Sequence, residues 1–151
     1  GDDLEALRAV RYDRGLATLA ILDGVSGLPD VGHLNLDGPV VNWIADNQLK
    51  GISDSVTAVT IHATAEFAEK NWDVPDEVRG AAMCAAVEPY LSAAVQEYRC
   101  HRWGFTLPVN PWPVAFYAND SLRLILAGDA FGGARIEGAA LSGIAAAQHL
   151  Y

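Results

Sequence analysis

The stretch from 122 to 150 constrains the fold more than any other part of the sequence. Leu122 to Ala127 is a short apolar run, long enough for a buried strand. Gly128 to Arg135 is a glycine-rich connection that contains a single acid, Asp129. The residues from Ile136 onward are mostly small and apolar, which predicts a helix. The chain therefore ends in a strand, a glycine-rich turn and a helix.

This arrangement suits a ligand. A strand that leads through glycines into a helix directs backbone N–H groups and the positive end of the helix dipole at one place. Glycines let the backbone come close to a ligand, because they carry no Cβ. We expect this place to take an electron-rich or anionic group. From the glycines alone, an ordinary strand–loop–helix without a ligand is an equally good interpretation.

Composition excludes several classes of function. A chain of 151 residues allows one domain, or one domain and a piece of another. Ten basic and nineteen acidic residues give a net charge of −9. Such a charge argues against sequence-independent nucleic-acid binding and against docking on anionic membranes. No run approaches the roughly 20 apolar residues that span a bilayer.

The cysteines and the chain start bear on the cellular context. Cys84 and Cys100 lack a metal-type spacing, and two reduced thiols are favoured over a disulfide between them. No basic and apolar leader opens the sequence, so we expect a cytoplasmic protein. The only methionine is Met83 and the sequence starts at Gly1, so we expect a processed chain or a piece of a longer protein.

The order of predicted elements indicates the fold class. A short helix or a loose end opens the chain, strands alternate with turns up to residue 63, two helices follow, and further strands precede the terminal helix. This order predicts an α+β fold with an antiparallel sheet and helices on one side. The terminal strand and helix do not belong to such a layer, and we assign them to a different domain. The predicted segments are helices near 2–10, 65–72 and 75–87, strands near 15–22, 33–36, 40–46, 58–63, 95–105 and 116–118, and a proline-rich loop at 107–113.

The terminal stretch resembles a flavin-binding segment. Gly-Asp-Ala-Phe at 128–131, followed by Arg-Ile-Glu-Gly-Ala-Ala-Leu-Ser-Gly at 135–143, is similar to the C-terminal FAD-contacting segment of flavin-dependent amine oxidases and their relatives. The resemblance implies that the acid after the glycine lies near the ribityl and pyrophosphate part of FAD. It also implies that the N-terminus of the following helix points at the pyrimidine edge of the flavin. The implied cofactor-binding residues are Gly128, Asp129, Arg135, Ile136, Glu137 and Gly138.

Three further strings narrow this resemblance. The segments 41–53 (Val-Asn-Trp-Ile-Ala-Asp-Asn-Gln-Leu-Lys-Gly-Ile-Ser), 59–63 (Val-Thr-Ile-His-Ala) and 100–103 (Cys-His-Arg-Trp) resemble the substrate domain of bacterial renalase-like proteins. The resemblance covers about 11–150. It implies a flavoenzyme that oxidises a small reduced substrate with dioxygen and yields hydrogen peroxide. The implied substrate is a dihydronicotinamide isomer, with an amine as the alternative.

The resemblance also implies a division of the chain into two domains and a set of catalytic residues. Residues 1–118 would form a substrate-binding-type domain, and 119–151 a return segment of a Rossmann-like FAD domain. His101 and Trp103 share a strand face that would line the pocket, with Arg102 on the other face. The full set of candidate catalytic residues is His62, His101, Trp103, Lys50 and Asn47. The alternatives are hydrogen-bonded histidines, a core tryptophan at 103 and a solvated loop lysine; Trp43 is predicted to lie in the core.

One part of the family pattern is missing. Flavoproteins of this type hold the pyrophosphate in an N-terminal β-α-β unit with a G-x-G-x-x-G turn, and the sequence contains no such motif. We therefore expect this chain alone to bind FAD weakly or not at all, and to be inactive in isolation. The scattered histidines predict no metal site, and no G-x-S-x-G turn supports hydrolase chemistry.

The terminal helix has small or apolar residues on nearly all sides, so we expect it to need cover on more than one face. Without that cover an apolar patch remains, and we expect the chain to self-associate through it, or the helix to shift or fray. The alternative function is a stand-alone, non-catalytic binding or assembly module derived from the same fold.

Overall fold

The computed structural model of the chain describes residues 2–150. For residue 2 it describes the backbone and not the side chain. Its elements are α1 (Asp2–Arg8), β1 (Tyr12–Leu22), β2 (His33–Asn35), β3 (Val41–Asp46), β4 (Ala58–Ala63), α2 (Ala65–Lys70), α3 (Asp76–Val87), a short 3-10 helix (Glu88–Tyr90), β5 (Val95–Pro108), β6 (Tyr117–Asn119), β7 (Leu124–Leu126) and α4 (Ile136–His149). The fold is α+β, as predicted.

The described residues divide into two compact units. The sheet unit is 14–104. The terminal unit combines the segment up to residue 13 with the segment from residue 105 onward. The predicted boundary at 118/119 concerns domains of a complete enzyme, and it stays a prediction.

A five-stranded antiparallel sheet organises the sheet unit, with strand order β2-β3-β4-β1-β5. Its register pairs Ile44 of β3 with Ile61 of β4, and Thr18 of β1 also with Ile61. These three side chains point to the same face of the sheet, because paired residues of neighbouring strands do so. All three are buried. The predicted antiparallel sheet is confirmed.

Both helices of the sheet unit lie on this buried face. Met83 and Val87 of α3 and Ala68 of α2 belong to the same hydrophobic cluster as the buried strand residues. The helices therefore cover one side of the sheet, as the element order predicts. Within this core Cys84 is a free thiol, and burial, followed by the nearby Cys100, raises its pKa to about 11.

The residues at the N-termini of α2 and α3 are of types that favour a helix start. The Thr64 hydroxyl accepts a hydrogen bond from the Phe67 N–H at 3.1 Å, which caps α2 as the sequence predicts. Pro75 precedes α3 instead of occupying its first turn, and Asp76 and Glu77 lie next to the positive end of this helix.

Two sequence predictions for the terminal unit are wrong. The proline-rich loop begins later than predicted, because β5 continues to Pro108 and the Thr106 hydroxyl donates to the Asp13 carbonyl at 2.8 Å. The run 122–127 does not form a buried strand: β7 has three residues and Leu122 is 70% exposed. The physical reason is that β7 pairs only with β6 in a two-stranded sheet.

None of the helices in the described part of the chain has both the length and the apolar character needed to cross a bilayer.

Candidate functional site

The sheet unit has a second face, opposite α2 and α3. In β4 the buried Val59 and Ile61 alternate with Thr60 and His62, which therefore point away from the helices. Trp43 and Ala17 pair with His62 from the two neighbouring strands and share its face. We call this surface the open face. Its members include Ala17, Leu19, Ile21, His33, Trp43, Ala58, Thr60, His62, Arg99, His101 and Trp103.

A group of three aromatic side chains, His33, Trp43 and His62, lies on one part of the open face. The Trp43 indole lies 4.7 Å from the His62 imidazole and 6.3 Å from that of His33, measured between ring centroids. The Lys50 ammonium group stands 5.6 Å from the same indole centroid, where the ring quadrupole attracts a cation. The prediction of Trp43 as a core residue is wrong, because this strand position faces away from the core and leaves the indole half-buried.

His62 has a perturbed pKa. The ring remains reachable by solvent, yet its partial burial lowers the pKa below the usual value, and the positive charge of Lys50 lowers it further. Both causes disfavour the imidazolium form. Near neutral pH His62 is therefore neutral, with one nitrogen able to donate a hydrogen bond and the other able to accept one.

The turn after β3 places Asn47 and Lys50 beside this group. The Asn47 amide donates to the Thr60 hydroxyl at 3.0 Å. The carboxylate of Asp46, which is 2% exposed, accepts from the backbone N–H groups of Gln48 at 2.7 Å and Leu49 at 3.0 Å. The Ser26 hydroxyl donates to the same carboxylate at 2.5 Å. The turn is thus fixed by hydrogen bonds to a buried acid.

A second aromatic pair lies on β5. The His101 and Trp103 rings are 4.6 Å apart in an edge-to-face arrangement, and Trp103 is 53% exposed. Arg102 points the other way, with its guanidinium 5.7 Å from the Trp72 ring. The predicted sharing of a face by His101 and Trp103 is confirmed, and the alternative of a core tryptophan at 103 is wrong.

The strand order brings the candidate residues onto one surface. Strand β1 lies between β4 and β5, so His62 and the His101–Trp103 pair are two strands apart, about 10 Å. A shallow cavity of about 260 Å³ is lined by Leu19, Ile21, Asn47, Ala58 and Arg99, among others, and Asn47 is the one candidate residue in its lining. A larger cavity of about 410 Å³ is lined by residues of α3 and of the start of β5, and it contains none of the predicted site residues.

The terminal unit contains the second candidate site, the turn Gly128–Arg135, which we call the glycine turn. Gly128 has φ of +142°, a conformation that favours glycine, and its N–H donates to the Ser142 hydroxyl at 2.8 Å. One carboxylate oxygen of Asp129, Oδ1, accepts a hydrogen bond from the Tyr12 hydroxyl at 2.8 Å. Burial and this hydrogen bond raise the pKa of Tyr12 to about 12, so the phenol stays a donor.

The first turn of α4 lies against this glycine turn. A Cβ added at Gly138 would overlap the Gly133 carbonyl oxygen, so only glycine fits at this position. Arg135 precedes the helix with φ of +133°, and its side chain does not cap the helix. Ile136 is 92% exposed, and Glu137 is exposed as well. The start of α4 is therefore accessible, and the glycine turn approaches it closely.

Sequence reasoning missed two residues that hydrogen-bond to the glycine turn, Ser142 and Tyr12. Ser142 is a hydroxyl in an otherwise apolar helix, and a buried serine needs a hydrogen-bond partner, so its position was a usable signal. Tyr12 lies 117 positions from Asp129, and no local pattern connects the two.

Among the described side chains, 3–150, no group of three or more histidine, cysteine, aspartate or glutamate residues could hold a metal ion.

Comparison with known proteins shows the fold. No family model matches the chain. The structure is similar to that of a Pyrococcus furiosus protein, with a TM-score of 0.57 and 18% identity over 99% of this chain and 34% of that one. It is also similar to an oxidoreductase from Methanosarcina mazei, with a TM-score of 0.59 and 16% identity over 96% of this chain and 36% of that one. The chain thus spans about a third of the length of both proteins.

Proposed function

We propose that this chain is the substrate-binding portion of a renalase-like FAD-dependent oxidoreductase. The enzyme oxidises a small reduced substrate, a dihydronicotinamide isomer or an amine, with dioxygen and produces hydrogen peroxide. The observation that carries the proposal is the open face. It presents His62, His101 and Trp103 on one side of the sheet, with Asn47 and Lys50 at its border.

The side chains of the open face suit this chemistry. A planar ring can lie against the exposed Trp103 indole. His62, neutral near pH 7, can donate or accept a hydrogen bond to a polar substituent. The Lys50 ammonium favours negative charge that develops nearby. These residues bind and orient; the hydride acceptor and the reaction with dioxygen belong to the flavin.

The glycine turn supports the flavin part of the proposal. The polar groups fit part of the cofactor: the Asp129 carboxylate can accept hydrogen bonds from ribityl hydroxyls, and backbone N–H groups at the start of α4 suit the carbonyl oxygens of the pyrimidine ring. Gly128 and Gly133 have open space where a Cβ would stand, so a ligand can approach the backbone. The sequence has no G-x-G-x-x-G turn for the pyrophosphate, so FAD binding by this chain alone is weak or absent.

The similarity to the Methanosarcina mazei oxidoreductase favours redox chemistry over a non-catalytic binding module. At 16% identity it supports the choice without deciding the substrate.

The test follows the four tryptophan indole N–H resonances by NMR while the chain is titrated with reduced nicotinamide mononucleotide or, separately, with benzylamine. We expect Trp43 and Trp103 to shift, because both lie on the open face. Trp72, which packs on the helix side, and Trp112, in the terminal unit, are internal controls. Equal shifts at all four indoles, or none at Trp43 and Trp103, would contradict the proposal.

A second measurement concerns the cofactor. The absorbance spectrum of the chain after addition of FAD should show little bound flavin once free FAD is removed. Stoichiometric yellow protein would overturn the prediction that the main cofactor-binding unit is missing. A chain that binds neither small molecule nor flavin would favour the assembly module.

A further inference from the structure

We propose that Tyr12 is a positioning residue that fixes the Asp129 carboxylate so that its second oxygen, Oδ2, accepts a hydrogen bond from a ligand hydroxyl. The ligand class is a polyol, or a larger molecule with a polyol chain. The inference rests on the proposed flavin function, because the ribityl chain would be this polyol. It adds a residue that lies outside the glycine turn and outside the sequence resemblance.

The hydrogen bond from Tyr12 makes the two oxygens of the Asp129 carboxylate different. Oδ1 accepts from the Tyr12 hydroxyl at 2.8 Å. Within the described part of the chain, no hydrogen bond reaches Oδ2. A carboxylate oxygen accepts and does not donate, so this free position takes an O–H or N–H group of a ligand.

Tyr12 is itself held in place. Its ring meets Phe105 edge to face, with centroids 5.7 Å apart and planes at 90°. The neighbouring residue Arg11 donates its backbone N–H to the Asn110 side chain at 2.8 Å and accepts from the Val109 N–H at 2.8 Å. The phenol therefore has a fixed position from which to donate.

The backbone under Asp129 is also anchored. The Gly128 N–H bonds to the buried Ser142 hydroxyl, and the Gly128 carbonyl accepts from the Phe131 N–H at 3.1 Å. With the turn fixed on both sides, the main remaining freedom is rotation of the Asp129 side chain about χ1. The Tyr12 hydrogen bond selects one rotamer and so sets the direction of Oδ2.

The first test needs no ligand. In the full chain, three-bond NMR couplings report whether Asp129 holds one χ1 rotamer. We expect a single rotamer in the wild type and averaged couplings in Tyr12→Phe, which keeps the ring against Phe105. The control is Tyr117→Phe, in the same unit, whose hydroxyl accepts from Asn119 and does not touch Asp129. A single rotamer that persists in Tyr12→Phe overturns the positioning role.

The second test compares three probes on the same variants: riboflavin, lumiflavin, which has the same ring without the ribityl chain, and free ribitol. We expect Tyr12→Phe to weaken riboflavin and ribitol binding about fivefold to tenfold, comparable to the loss of one ordinary hydrogen bond, because the ligand's hydrogen bond to Asp129 loses its fixed orientation. Lumiflavin binding should not change. Equal weakening of riboflavin and lumiflavin, or no weakening of either, overturns the inference.

The outcomes separate this inference from the proposed function. If ribitol shifts the Asp129 resonances in the wild type and neither flavin shifts them even in excess, where weak binding is detected, the polyol site stands and the flavin function fails. If riboflavin binds and Tyr12→Phe has no effect, the flavin function stands and the role of Tyr12 fails. If no probe shifts Asp129, the ligand part of the inference is overturned.

Discussion

The open face depends on a few side chains whose charge state is set by their neighbours. His62 lies beside the Trp43 ring, and its partial burial, followed by the positive charge of Lys50, disfavours its protonation. Because the folded state lowers the pKa below 6.5, the unfolded chain binds this proton more readily. His62 therefore contributes stability above about pH 6.5, and this stability is lost as the pH falls through the lower folded-state pKa.

We expect an NMR titration to give His62 a pKa below 6.5. Lys50→Gln should raise this pKa but leave it below 6.5, because burial is the larger cause of the lowering. The control is Lys70→Gln, which removes a lysine that pairs with Glu66 on α2. A pKa that is normal in the wild type, or equally changed by both variants, would show that Lys50 does not act on His62.

For single residues, the sequence predicts the placement of some side chains and not of others. Alternation along β5 is enough to put His101 and Trp103 on one face, since the strand period is two. Trp43 is misplaced because a large aromatic residue in an apolar strand looks like a core residue whichever face it occupies. The Tyr12–Asp129 hydrogen bond depends on tertiary structure alone, so no local pattern could reveal it.

At the scale of elements, α4 shows how two glycines in one helix differ. Gly138 lies under the Gly133 carbonyl, with no room for a Cβ. Gly143 has open space where its Cβ would be. The first is required by the close approach of the glycine turn, and the second only weakens the helix.

This difference gives a matched pair of variants. Gly138→Ala should destabilise the terminal unit by about 1–3 kcal/mol, because the backbone must move to admit the methyl group. Gly143→Ala should stabilise the helix by up to about 1 kcal/mol, because alanine is the better helix former. Hydrogen exchange of the α4 amides measures both. Equal effects in the two variants would show that the glycine turn does not pack on α4 as described.

The sequence predicts which elements exist better than where they end. The start of α4 at Ile136 and the whole of β4 are predicted correctly, since each has a clear boundary signal. The end of β5 is missed because three prolines suggest a loop, while hydrogen bonds to 11–13 keep the strand extended to Pro108. Tertiary pairing overrides the local preference in this segment.

For the whole molecule, apolar surface remains uncovered on α4. Ile136, Leu141 and Ile144 of α4 are exposed, as is Leu150, which directly follows the helix. Single exposed apolar residues are ordinary, but several on one short helix form a patch that favours association. The structure thus leaves room for the self-association that the sequence predicts, without testing it.

We expect the chain to self-associate reversibly in sedimentation velocity experiments. The double substitution Leu141→Ser and Ile144→Ser should weaken this association at least about tenfold, because two apolar side chains leave the interface. The control is Val78→Ser, an exposed apolar residue on α3 of the other unit. A wild-type monomer over the accessible concentration range would contradict the expectation, as would equal effects of the two substitutions.

Asp46 holds the turn that carries Asn47 and Lys50 before any ligand arrives. Ordering a free loop on binding costs conformational entropy and slows association. In the proposed function a prearranged turn avoids both effects, because Asn47 and Lys50 would already be in place for the substrate. Loosening the turn through Ser26→Ala should therefore appear as slower capture of the ligand, even though Ser26 itself never touches it.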